Sequence, residues 1–354
     1  MTINESKRNE TADLLKGLAV LFMIQVHIME QFTSHEVYNS IIGKLSLFVG
    51  GPPCAPVFLA AMGYFLLSKP KPLWYYLKRG WILFAGGILL NILRTMHLFI
   101  YILGDKVVYN PAFFIFGVDI LSLAGLSIII IGVVQLVFKK NYIAYLISAI
   151  IITLITPILP MFGSDNSVLQ YINAFLWGNY QWSYFSLFPW FAYVFIGAAY
   201  YLFTNKYPTL VDFNNRKLYL FLIPVLIIIL ATFNYGINTS YDLFGNLGYY
   251  NHGIKFFVWV VLFLFVYIVF IKFVDKYLGN NFIFKFIKWT GKNVTAIYVI
   301  QWIIIGNIAT VLYQTQNIYQ NIAWFIAITT ITSLIVLTWV KINAHIKLKD
   351  EDII

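Results

Sequence analysis

The chain has very little charge. Of 354 residues only 11% are Asp, Glu, Lys or Arg, against about 25% in ordinary soluble chains. So few charges cannot cover a water-facing surface, which excludes a soluble enzyme, a secreted disulfide scaffold and a disordered tail protein. Cysteine is nearly absent. Cys54 stands alone, so neither an intramolecular disulfide nor a cysteine-based zinc or iron–sulfur site can form, and no metal is expected. No arm of lysine and arginine, and no basic patch interleaved with aromatics, accompanies the net charge of +10; nucleic acid is not an expected partner. Met1–Thr11 is polar, and the apolar run after it lacks a small-residue cleavage site. No cleaved signal peptide is therefore expected, and the first apolar segment should be retained.

What fills the chain instead is apolar. Hydrophobic residues make up 60% of it and the mean hydropathy is +0.78. Ten apolar segments stand out: 13–32, 45–67, 80–103, 111–137, 142–160, 184–204, 217–235, 253–274, 291–313 and 321–340. Ten spans of about 20 residues would take roughly 200 residues. The expected fold is an all-α polytopic transmembrane bundle of about ten spans around a central cavity. Residues 1–340 would form one domain and 341–354 a short charged tail.

Orientation follows from where the cations lie. The start of the chain, the connections 2/3, 4/5, 6/7 and 8/9, and the C-terminal tail hold 20 of the 24 Lys and Arg. The other four are Lys44, Arg94, Lys106 and Lys255. Opposite connections such as Asp165–Ser183 have none. The positive-inside rule then places both termini in the cytoplasm of a multi-pass cell-membrane protein. Two connections on the other side, Met161–Ser183 and Gly236–His252, are rich in Tyr, Trp, Asn and Gly. The simpler reading is an interfacial aromatic belt; the functional one is a platform for a sugar-like acceptor.

Ionisable groups inside spans cost about 2.5–3.5 kcal/mol on insertion scales, so their positions carry information. His27 lies 14 residues past Asp13, about 21 Å along a helix, in the outer half of the first span. Glu30 and Gln31 follow on the same face. In the third segment Asn91, Arg94 and His97 step along one face, and Asp119 sits near the outer end of the fourth. Spread through lipid these groups would be ruinous; gathered at one cavity they can pair and meet water. The expected core is His27 with Glu30 or Asp119, and Arg94 as counter-ion. Plainer readings stand beside it: His27 as a helix–helix hydrogen-bond partner, Arg94 as a structural partner of Asp119, His97 as interfacial, Cys54 as packing. His35, His252 and His345 fall in loops or the tail and read as solvated. Gly50-Gly51-Pro52-Pro53-Cys54-Ala55-Pro56 should break the second span, and broken backbone at that depth lines a cavity or is buried. Gly86-Gly87 should admit a close neighbour.

The stretch Arg8-x4-Asp13-x2-Lys16-Gly17-Leu18-Ala19-x7-His27 resembles the first-helix signature of the membrane acyltransferase superfamily, which includes acyltransferase family three and the heparan-alpha-glucosaminide N-acetyltransferase family. Other segments look closer to bacterial relatives of the latter: Pro53–Phe58 through Gly63, Lys78-Arg79-Gly80, Phe116–Leu121, Phe188–Phe191 with Gly197, and Gly291-Lys292-Asn293 with Ile297-Tyr298. Two departures stand out. Lys16 replaces an arginine and loses its planar fork, and Gln301 stands where family-three proteins often carry a histidine. In the glucosaminide branch a histidine between the first two spans has been assigned the catalysis. His35 is the one histidine there, and its spacing does not match, so that role is not carried over.

The resemblance implies transfer of an acetyl or short acyl group from cytoplasmic acyl-CoA to a hydroxyl or amine of an extracytoplasmic or lipid-linked sugar. Acetyl-CoA would be the donor substrate; the partners would be acyl-CoA, a sugar or glycan acceptor and the bilayer, with a homodimer left open. In that reading Lys16, Lys78, Arg79 and Lys292 attract the phosphates of CoA. His27 acts as general base, Glu30 or Asp119 orients it, and Arg94 or Asn91 meets the developing oxyanion. The alternatives are a proton-coupled transporter of a polar or lipid-linked substrate, with His27, Arg94 and Asp119 as a relay, and a scaffold whose polar groups only join helices.

Overall fold

The computed structural model describes residues 9–351 except 179, 213–214 and 246. Lys7 and Arg8, where the first-helix signature begins, lie outside the described residues. Among the described residues every regular element is helical. The helices are α1 (Glu10–Phe32), α2 (His35–Tyr38), α3 (Ile41–Gly50), α4 (Ala55–Ser68), α5 (Leu73–Arg94), α6 (Met96–Leu103), α7 (Pro111–Ile115), α8 (Ile120–Phe138) and α9 (Tyr142–Ile155). There follow α10 (Ser167–Leu176), α11 (Leu187–Lys206), α12 (Arg216–Ala231), α13 (Phe233–Tyr241), α14 (Ile254–Leu278), α15 (Phe282–Lys292), α16 (Val294–Leu312) and α17 (Ile318–Glu351).

All ten apolar segments are helical, but they are not ten equal spans. Among the described residues eight helical stretches are long and apolar enough to cross a membrane, with α3 and α4 together as one of them. The pair α12 and α13, bent by 56° at Thr232, makes a ninth. The fifth segment is α9, an apolar helix of 14 residues, about 21 Å long and shorter than a 30 Å hydrocarbon core. The chain is a multi-pass membrane bundle. Its last helix, α17, continues through residue 351 into the stretch read as a tail.

Two ends of the bundle are defined by α1. At its start, here the N-terminal face, Gly17 and Gly291 let α1 and α15 touch. A Cβ on either would strike a backbone carbonyl of the other helix, that of Ile287 or of Asp13. Lys288 fastens the same corner through Glu10 at 2.6 Å and Asp275 at 2.7 Å. At the distal face, Ser34 donates to the Gln316 carbonyl at 2.9 Å and Gln316 to that of Phe32 at 2.8 Å. The end of α1 is thereby tied to the turn between α16 and α17.

Three segments are broken within the bundle, the second as its Gly-Pro run led one to expect and two that read as continuous, and all three breaks face one cavity. The Gly-Pro run separates α3 from α4, with Gly50, Gly51 and Ala55 in the cavity wall. Cys54 packs in this break, its thiol directed at the carbonyls of Ala19 and Val49, both at 3.3 Å. The third segment breaks after Arg94. Here Thr95 turns its hydroxyl back to the Asn91 carbonyl at 2.6 Å, and His97 is held by Asn307 rather than by an interface. Its backbone N–H donates to Asn307 Oδ1 at 2.9 Å, and its Nδ1 lies 3.0 Å from the Asn307 carbonyl. The fourth segment unwinds over residues 116–119 between α7 and α8. Of the two glycines at 86 and 87, Gly87 takes the close approach: a Cβ there would meet the Ser122 hydroxyl, whereas at Gly86 it would only touch Leu121 Cδ2 at 4.0 Å.

Candidate active site

Asp119 is placed by local chemistry. An extended backbone at φ −95° and ψ 160° makes it the N-cap of α8, where its side chain accepts from the Leu121 N–H at 3.1 Å. Aspartate before a long apolar run is a favoured cap, because it satisfies one of the first four orphan N–H groups of the helix. Its neighbours are pinned from two sides. Val118 donates to the Trp182 carbonyl at 2.8 Å, and Phe185 donates back to Val118 at 3.1 Å. Asn91, fully buried, spends both amide protons on the carbonyls of Ile115 at 3.1 Å and Gly117 at 2.7 Å. Asn91 therefore sits behind the cavity wall and has no donor left for an oxyanion.

The Asp119 carboxylate is saturated. Oδ1 accepts from Leu121 N–H and from the Tyr298 hydroxyl; Oδ2 accepts from Arg94 Nη1 at 3.1 Å and from Trp302 Nε1 at 3.2 Å. Arg94 and Asp119 are both largely buried, their side chains 12% and 5% exposed. Hydrogen bonds to charged groups contribute about 1.5–3 kcal/mol each, and removing one partner of a buried pair costs more than the pair itself contributes. A carboxylate holding four donors has both oxygens committed and acts as an anchor. It also makes no hydrogen bond to His27.

His27 meets Gln301 and Trp302 instead. Its ring stacks on the Trp302 indole at a centroid distance of 3.8 Å and an interplanar angle of 9°. Its Nδ1 lies 3.2–3.3 Å from the amide of Gln301. Gln301 Nε2 also donates to the Tyr298 carbonyl at 3.1 Å, which fixes the amide. In the tautomer where Nδ1–H donates to Gln301 Oε1, the Nε2 lone pair is free for the cavity. Arg94 lies over the same indole, 4.6 Å from its centroid. Tyr298, Gln301 and Trp302 are spaced i, i+3, i+4 and therefore share a face of α16.

These groups line a distal cavity of about 580 Å³. Glu30 is in its wall, one turn past His27, and makes no hydrogen bond or ion pair with the described residues. Several tyrosines complete it, among them Tyr101, Tyr184, Tyr249, Tyr250 and Tyr313. The buried Tyr249 hydroxyl has no hydrogen-bond partner among the described residues. His252, expected in solvent, is wholly buried behind Tyr249. Its Nδ1 donates to the Tyr249 carbonyl at 2.8 Å, and its Nε2 accepts from the Tyr193 hydroxyl at 3.0 Å. His35 is exposed on α2, away from the cavity. In the 161–183 connection Trp182 is sandwiched between Tyr180 at 4.8 Å and Phe113 of α7 at 4.4 Å.

A second cavity, of about 540 Å³, opens toward the N-terminal face. Lys16, Lys69, Lys71 and Arg79 stand in its wall, and its interior is apolar, with Phe58, Met62 and Leu83. Lys16 is paired with Asp13 at 2.9 Å. Lys78 and Lys292 are exposed and belong to neither wall. The two cavities share three lining residues: Met23, Ile120 and Tyr298. Each stands beside the chemistry. Met23 is one turn before His27, Tyr298 one turn before Trp302, and Ile120 next to Asp119.

Residues 8–229 match the family described as heparan-alpha-glucosaminide N-acetyltransferase, catalytic. The matched stretch holds His27, Glu30, Arg94 and Asp119, while the α16 residues that hold His27, Arg94 and Asp119 lie beyond it. No curated protein and no solved structure matches the chain.

Proposed function

As a member of the heparan-alpha-glucosaminide N-acetyltransferase catalytic family, and so a membrane acetyltransferase, this chain is an enzyme for which we propose a two-chamber acyl transfer. Acyl-CoA enters the N-terminal cavity, a sugar acceptor enters the distal one, and the acyl group crosses between them. The observation that carries this reading is the pair of cavities meeting at one partition, with cations around one and the imidazole beside the other. The distribution of basic residues supports a cytoplasmic N-terminal face, where acyl-CoA is found, and an extracytoplasmic distal face. Lys69, Lys71, Arg79 and Lys16 receive the CoA phosphates, in place of a set that included Lys78 and Lys292.

The chemistry needs one base and one oxyanion partner. His27 Nε2 takes the proton from an acceptor hydroxyl, or from a neutral amine as it attacks. The oxygen or nitrogen forms a bond to the thioester carbon, and the carbonyl electrons move to its oxygen, opposite the guanidinium of Arg94. Collapse of the tetrahedral intermediate breaks the C–S bond, and the imidazolium returns its proton to the CoA thiolate. Gln301 orients the imidazole without adding charge, the part an asparagine plays in Cys-His-Asn sites. Asp119 holds Arg94 in place.

The test is purified protein in detergent with acetyl-CoA and hydroxyl- or amine-terminated oligosaccharides, following CoA thiol release and acetylated product. A general base contributes about 10²–10⁴-fold, so His27→Gln should lose turnover by that factor with donor binding intact. Normal turnover in His27→Gln removes the base assignment. Counterflow of a substrate without acyl transfer supports the transporter instead.

A further inference from the structure

The two cavities meet at shared side chains, and their linings differ on the two sides of that meeting point. The N-terminal cavity is apolar behind its cations, and the distal one is lined by tyrosines, a glutamate and a histidine. Met23, Ile120 and Tyr298 stand in both walls, and they are only 5%, 8% and 6% exposed. They come from three different helices, α1, α8 and α16, which two contacts hold in register. His27 meets Gln301 across α1 and α16, and the Tyr298 hydroxyl meets Asp119 at the cap of α8. A wall fixed by these contacts cannot widen without disturbing the residues that do the chemistry.

We infer that Met23, Ile120 and Tyr298 form the acyl-length selector of this enzyme, passing acetyl and rejecting longer acyl chains. The inference rests on the two-chamber reading above. For a thioester carbon to come within reach of His27, its acyl group must lie in or just past this wall. An acetyl group adds a single methyl beyond the carbonyl. Every further methylene has to displace a packed side chain or intrude on the space the acceptor needs. In an apolar site of fixed shape one methylene changes discrimination by about 10–200-fold. Met23 and Ile120 set the limit, because each can lose atoms without losing a hydrogen bond. Tyr298 cannot, since its hydroxyl is committed to Asp119.

The experiment compares acetyl-, propionyl-, butyryl- and hexanoyl-CoA with Met23→Ala, Ile120→Ala and Ile120→Val, reading the ratio of turnover numbers within each preparation. That ratio does not depend on what fraction of the protein is folded. Ile120→Val removes one carbon and serves as the gentler variant. Each alanine variant removes three heavy atoms, and the butyryl-to-acetyl ratio should rise about tenfold or more. Ile120→Val should raise the propionyl-to-acetyl ratio alone. Apparent affinity for the donor should change little, because the CoA phosphates bind at the cations of the cavity mouth. Acetyl transfer that persists with all ratios unchanged overturns the selector and leaves the two-chamber reading standing. Absence of acetyl transfer by the wild-type protein overturns that reading and the selector with it.

Discussion

Asp119→Asn is the substitution that separates an anchor from a catalytic acid or base. The change keeps the shape and removes one charge. It also converts one acceptor oxygen into an NH₂ that must face two donors. If the NH₂ takes the Oδ2 position it confronts Arg94 Nη1 and Trp302 Nε1; in the Oδ1 position it confronts the Leu121 N–H and the Tyr298 hydroxyl. Either way at least one donor that cannot rotate away loses its acceptor. Arg94, 12% exposed, is left as a buried cation without a counter-charge, a situation that costs about 3–5 kcal/mol. Arg94→Met alone should cost a similar amount by stranding the carboxylate. The double variant removes both charges together, so its loss should fall short of the sum by about 0.5–3 kcal/mol, the coupling expected of residues in contact. The assay is a double-mutant cycle read from reversible unfolding in mixed micelles, followed by circular dichroism. Losses that add to within about 0.5 kcal/mol would refute the anchor role, as would an Asp119→Asn protein as stable as wild type.

Three further expectations can be checked beside it. Substituting Lys71 and Arg79 by Gln should weaken acetyl-CoA binding measured by calorimetry, with the gap to wild type largest at low ionic strength, where the Debye length is about 30 Å at 0.01 M; equal affinities at low salt would remove these cations from the donor site. Cysteines introduced at Asn166 and Asn317 should react in intact cells with an impermeant maleimide while one at Asn141 should not, and the reverse pattern would invert the assigned orientation. His252 gives a pH dependence with a defined sign. Burial holds its imidazole down to about 4 from the ordinary 6.5, against the opposing pull of its bond to the Tyr249 carbonyl, so the unfolded chain binds the proton first as pH falls. Its contribution is complete above pH 6.5 and is lost progressively toward pH 4, by about 3 kcal/mol at 1.36 kcal/mol per pH unit; a His252→Gln protein that keeps the same acid sensitivity in melting experiments would assign that loss elsewhere.

Much of this site is written in the sequence, but in two different ways. The cost of an ionisable group in hydrocarbon picks out His27, Arg94 and Asp119 with no knowledge of the fold, and the structure brings these three to one cavity wall. What hydropathy cannot convey is where an apolar run stops being a helix. Segments 80–103 and 111–137 read as unbroken, yet they break after Arg94 and over residues 116–119. A cue was present in Gly117-Val118-Asp119, since aspartate just before a long apolar run is a helix start signal. Read as a cap, Asp119 would have been seen as a carboxylate partly committed to its own helix and a weaker candidate to orient a base.

Gln301 illustrates the other limit. By comparison with family-three proteins it marks a missing second imidazole; in the structure it is the group that touches the first one. The parts played by its neighbours were hidden, Tyr298 being legible only as part of a family match and Trp302 not at all, because aromatic residues at helical spacing are the ordinary composition of a membrane span in a chain that is 19% aromatic. Only the long-range pairing of α16 with α1 and α8 distinguishes them, and a pairing between residues about 180–275 positions apart leaves no local trace. The lysines show the same division. Lys78 and Arg79 are adjacent and equally basic, yet one turns into the cavity and the other does not. Successive residues on a helix point about 100° apart, so charge counting can locate the donor-binding end of the bundle while the side chain that reaches the donor is decided by rotation of α5 about its axis.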